Sequence, residues 1–141
     1  MSDGMLGSER GDAGPLELVI LIPALLLLFG LVVAFGRTTV ADSDVEYAAR
    51  VGARAAASAQ TSGGGRALAN EVVLDSLRHA GMACGPGPSV AVTGSWTPGG
   101  QVTVTVSCTA SLADVTKFGL PGSRTLRATA TEVIDRTRGG P

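Results

Sequence analysis

The chain is poor in the residues that most enzymes and nucleic-acid binders depend on. Only 4% of its 141 residues are aromatic and only 16% are charged. It has a single histidine, His79, and its net charge is −1. No basic field attracts a polyanion, and too few aromatics exist to stack on bases, so nucleic acid is excluded as a partner. There is no GxSxG, no HExxH and no glycine-rich loop followed by Lys-Ser or Lys-Thr. Without a second ligand or a nucleophile beside it, His79 reads as a helix-end surface residue rather than a catalyst. The two cysteines, Cys84 and Cys108, form no CxxC and stand too far apart for a zinc site. We expect no catalytic residue, metal, cofactor or small-molecule substrate.

What the chain does have is a long apolar run, Leu16 to Phe35, LELVILIPALLLLFGLVVAF. A helix of about 20 residues spans the roughly 30 Å hydrocarbon core of a bilayer and satisfies its own backbone hydrogen bonds there. The run therefore reads as a single transmembrane helix over 16–36. It contains one charge, Glu17, and one proline, Pro23. Glu17 lies at the start, where its carboxylate can remain near the headgroups and avoid most of the cost of a mid-bilayer charge. It reads either as a snorkelling boundary residue or as a membrane carboxylate awaiting a partner. Pro23 reads as a kink of the kind membrane helices tolerate.

Before this run, residues 1–15 are polar and glycine-rich, a leader on which no structure is expected. After it, VEYAARVGARAAASA is alanine-rich and places Glu46 four residues before Arg50, so the helix should continue over 37–60. A small-residue line, Ala48, Gly52 and Ala56, would let another element approach closely. Thr61 to Gly65, TSGGG, reads as a C-terminal cap and turn. A second, short helix should cover Arg66 to Ala80, with Leu68, Val72, Leu77 and Ala80 at helical spacing and Gly81 as its stop. Strands should follow at Ser89–Trp96, Gln101–Thr109 and Arg124–Ile134, with a short helical turn between the last two. The middle one alternates most clearly: Val102, Val104, Val106 and Cys108 share one face, and Thr103, Thr105, Ser107 and Thr109 the other. The expected fold is α+β: a long N-terminal helix, a second short helix and a small antiparallel sheet of about three strands over 61–141.

The compartment follows less directly. Arg10 precedes the apolar run, and Arg37 and Arg50 follow it. That thin count favours the C-terminal side as cytoplasmic. The cysteine pair and the threonine-rich strands favour export and carry more weight. An even cysteine count in an exported domain reads as one disulfide, Cys84–Cys108, although two buried thiols are the alternative. Thr39-Val40-Ala41 has the small-residue character of a signal cleavage site, which leaves a secreted product as a minor option.

The order of Gly11, Glu17, Pro23 and the Ala48–Ala57 segment (ERG…LELVILIPALLLLFGLVVAFGR, then AARVGARAA) resembles the TadE-like proteins, minor pseudopilins of tight-adherence (Flp) type IV pilus systems. The resemblance implies a bilayer-anchored protein with a cytoplasmic N-terminus and an extracytoplasmic domain. It implies prepilin-peptidase cleavage between Gly11 and Asp12, with Glu17 pairing to the N-terminal amine of a neighbouring subunit. Cleavage there makes Glu17 the sixth mature residue, one later than usual in the family. The implied partners are other pilin or pseudopilin subunits and the membrane proteins of pilus assembly. The alternative function is a single-pass anchored binding or scaffold domain unrelated to pili.

Overall fold

The computed structural model describes residues 14–116, 119 and 121–137. The architecture is α+β, with element order α1 (Pro15–Ser58), α2 (Ser62–His79), β1 (Ser89–Gly94), β2 (Gln101–Ser111), α3 (Leu112–Thr116) and β3 (Ser123–Val133). The chain divides into two compact units, Met1–Val33 and Ala34–Pro141.

In the first unit, α1 begins with proline at its first helical position. There the missing N–H costs nothing and the fixed φ suits a helix. The Glu17 N–H bonds the Gly14 carbonyl at 2.8 Å and closes the first turn. The helix is assigned without a break through Pro23. Its leucines, isoleucines and valines from Leu16 to Leu31 are exposed.

The second unit is organised by the sheet, order β1-β2-β3, antiparallel throughout. Central β2 buries Val102, Val104, Val106, Cys108 and Ala110 on one face. Each valine removed from water is worth about 1.5–3 kcal/mol. The opposite face carries hydroxyls in register. Thr103, Thr105 and Thr109 meet Thr131, Thr129 and Thr125 across the β2–β3 pair at 2.9–3.1 Å, and Arg127 donates to Ser107 at 3.0 Å. A sheet with one dry face and one wet face gives this alternation.

Onto the valine face α1 lays Ala41, Val45, Ala48, Ala49, Gly52, Ala53, Ala56 and Ala57, all buried. These side chains are small, so the helix lies close to the sheet. A β-carbon at Gly52 would stand 2.6 Å from Val73 Cγ2 and 3.3 Å from Val104 Cγ1.

The start of α2 departs from the expected turn. Ser62 to Gly65 are its first turn, and Thr61 is its N-cap, accepting the Gly64 N–H on Oγ1 at 3.1 Å. Glycines lower helix propensity, but the cap and a tertiary contact override that here. The space a Gly65 side chain would need is filled by the Trp96 indole. The buried line of α2 also differs: it is Gly65, Ala69, Val73 and Leu77, while Leu68, Val72 and Ala80 stay partly or fully exposed. Gly65 and Ala69 are small where the Trp96 indole and α1 come close, and the larger Val73 and Leu77 follow toward the end of the helix. At the other end, Gly81 (φ +70°) allows a left-handed turn in which the Met82 N–H reaches the Leu77 carbonyl at 3.0 Å. This is a Schellman cap, and it closes the helix where the sequence places its stop.

Trp96, on the β1–β2 turn, donates from Nε1 to the Ala56 carbonyl at 3.0 Å. That carbonyl lies in the last turn of α1, where helical partners run out. Arg66 stands over the same ring at 5.9 Å. One side chain thus joins the end of α1, the start of α2 and the hairpin.

Candidate functional site

The sequence singles out Glu17, Pro23, the Gly11–Asp12 junction and the cysteine pair. Gly11 and Asp12 lie outside the described residues. Glu17 falls in the first turn of α1 and is exposed. The helix dipole is positive there, so a carboxylate is favoured by about 0.3–1 kcal/mol at an exposed site. It has no ion pair with any described residue, so its negative charge remains available to a cation from elsewhere. Pro23 lies within the same helix. Its missing N–H leaves the Val19 carbonyl without its usual partner one turn on.

The arrangement around Glu17 offers no chemistry of bond making. It offers a charged group at one end of a long apolar helix. Such a carboxylate, drawn into lipid, is strongly stabilised by a hydrogen-bonded cation and penalised without one. α1 is the one helix among the described residues that is long and apolar enough to cross a membrane, and it lies near the N-terminus.

In the second unit, Cys84 and Cys108 form a disulfide with Cα atoms 5.1 Å apart. It ties the loop after α2 to the buried face of β2. The adjoining Gly85 N–H adds a bond to the Thr109 carbonyl at 2.9 Å. The acidic cluster Asp42, Asp44 and Glu46 does not act as a unit. Asp42 pairs with Arg124 of β3 at 3.1 Å, Glu46 pairs with Arg50 along the helix, and Asp44 points elsewhere. His79 is exposed. Its Nδ1 lies 2.9 Å from the Asp75 carbonyl and 3.5 Å from the Asp75 carboxylate. No group of three or more His, Cys, Asp or Glu among the described residues could hold a metal ion.

Two features escape sequence reasoning. Trp96 anchors the helix ends through a contact 40 residues away in sequence; its being the only tryptophan was the one available signal. A groove of about 400 Å³ also opens between α1 and α2, lined by Asp44, Tyr47, Val51, Val72, Asp75, Ser76, His79 and Ala80. Val72, one of the apolar residues at helical spacing in α2, lines its α2 side.

No curated protein and no solved structure matches the chain. A family model described as TadE-like protein matches residues 16–54. The matched stretch holds Glu17, Pro23, the apolar run and most of the alanine face that packs on the sheet. Over residues 16–54, the chain is therefore similar to the TadE-like family.

Proposed function

We propose that the protein is a membrane-anchored minor pseudopilin or assembly component of a tight-adherence (Flp) type IV pilus or a related secretion apparatus. The observation that carries this reading is the family match over 16–54, which contains both the membrane-length apolar run and its terminal carboxylate. In this reading Leu16–Phe35 lies in the bilayer, the N-terminus is cytoplasmic and the disulfide-tied domain is extracytoplasmic. Glu17 receives the amine of a neighbouring pilin-type subunit. A carboxylate at the membrane edge gains most from such a partner because solvent there competes weakly. Apolar and small side chains along the membrane helix supply the remaining contacts.

The test is Glu17→Ala in the native host. Piliation should be lost while the protein still reaches the membrane at normal abundance, with the Cys84–Cys108 disulfide intact. Normal pili in that variant would reject the reading in favour of an anchored domain unrelated to pili.

A further inference from the structure

We propose that the groove between α1 and α2 is the docking site for a cationic amphipathic helix of another polypeptide. The inference stands on the second unit alone and does not depend on the pilus reading. Three observations lead to it.

The first is an apolar floor left open between the two helices of this unit. Tyr47, on α1, is 63% exposed. Val51, Val72 and Ala80 complete the floor. Tyrosine in such a position supplies a large, rigid contact surface at low entropic cost, and it is a common anchor of protein interfaces. Two adjacent helices present a furrow that a third helix can fill by ridge-into-groove packing.

The second is the charge of the rim. Asp44 and Asp75 line the groove, and no arginine or lysine does. Asp42 and Glu46, its neighbours on α1, have arginine partners, whereas the Asp44 carboxylate has no ion pair or hydrogen bond with any described residue. His79 is the one basic side chain facing the groove, and it sits against Asp75. An incoming helix with Lys or Arg flanking its apolar stripe would meet both carboxylates, which favours encounter and fixes register.

The third concerns the occupant. The exposed faces of this chain's own helices in this unit mix signs: Glu46 with Arg50 on α1, and Arg66, Glu71 and Arg78 on α2. Neither presents an apolar stripe flanked by cations alone, so a second copy would bring acids against Asp44 and Asp75. The complementary helix belongs to a different chain.

The test replaces Tyr47 with the photo-crosslinker p-benzoylphenylalanine in the full chain, in membranes of the native host, and sequences the crosslinked peptides by mass spectrometry. The expected adduct is a peptide of another protein with helical apolar spacing and Lys or Arg within one turn of the attachment point. Combining the crosslinker with Asp44→Lys and Asp75→Lys should lower its yield at least tenfold, on the order of the penalty for juxtaposed like charges. Asp44→Asn with Asp75→Asn should give an intermediate yield. All these positions are on the surface, and the oxidised mass with unchanged helix content reports that the fold is kept. The same crosslinker at Thr105, on the hydroxyl face of the sheet, should not give that adduct. An adduct to a second copy of this chain, an adduct to lipid, no adduct, or a yield indifferent to charge reversal would each overturn the proposal.

Discussion

Gly52 shows how a single hydrogen atom sets the distance between α1 and the rest of its unit. Its missing side chain leaves room for Val73 and Val104, both fully buried. In Gly52→Ala the added methyl would overlap Val73 Cγ2, and β-branched Val73 has few rotamers to retreat into. Overpacking costs about 1–3 kcal/mol, and the better helix propensity of alanine returns roughly 0.5–1. The net expectation is a loss of about 1–2 kcal/mol. Gly63 is the internal comparison, because it lies in the first turn of α2 with open space where a β-carbon would go. Gly63→Ala should be neutral or should stabilise by up to about 1 kcal/mol. Denaturant unfolding of the detergent-solubilised chain, read through Trp96 fluorescence, measures both changes. Trp96 is the only tryptophan and sits inside the second unit, so the signal belongs to that unit. Equal effects at the two positions would mean that propensity, not packing, decides at Gly52.

At the scale of elements, the disulfide decides how firmly the loop after α2 is held. Cys84 and Cys108 are separated by 24 residues, and closing a loop of that size stabilises by about 3–4 kcal/mol on the chain-entropy account. For a domain of roughly a hundred residues, that is a large share of a total of about 5–15 kcal/mol. Reduction should therefore shift the unfolding midpoint strongly. A shift worth less than about 1 kcal/mol would mean that the Gly85–Thr109 bond and the burial of Cys108 hold the loop by themselves. The elements also differ in how readable they were. β2 was legible because a half-buried strand leaves a period of two in the sequence, and VTVTVSCT keeps it without interruption. Gly81 was legible because a helix stop is a local event. The start of α2 was not, because three successive glycines are weak helix formers. What holds them in a helix is the Thr61 cap together with an indole arriving from the β1–β2 turn. Helical spacing reports which apolar residues recur along α2, not which of them face inward: of Leu68, Val72, Leu77 and Ala80 only Leu77 is buried, beside Gly65, Ala69 and Val73. The α1–α2 groove is the consequence, and only tertiary packing could reveal it.

For the molecule as a whole, the decisive quantity is the position of the mature N-terminus. If the protein is processed as the TadE-like segment implies, cleavage between Gly11 and Asp12 removes a leader and creates a new amine at Asp12. Glu17 is then the sixth residue of the mature chain. Its carboxylate is favoured by the dipole of the first helical turn but has no cation among the described residues, so it can receive the amine of another subunit. Without processing, every copy carries its amine at the far end of a polar leader, and Glu17 meets no amine at its own depth. Pairing of Glu17 with the N-terminal amine of another copy of this chain would therefore require the cut. The expected measurement, on protein extracted from its native membrane, is an N-terminal sequence beginning at Asp12 and an intact mass matching residues 12–141 with the cysteines oxidised. A chain beginning at Met1 or Ser2 would rule out pairing between copies of this chain, and any effect of Glu17→Ala on assembly would then have to come from the amine of a different subunit. A chain beginning at Asp42, after Ala41, would release the domain without the apolar run. Because α1 is one helix from Pro15 to Ser58, such a cut would fall inside it, next to the buried Ala41 that packs toward the sheet. In the folded chain a protease would have to unwind several turns of that helix to reach the bond.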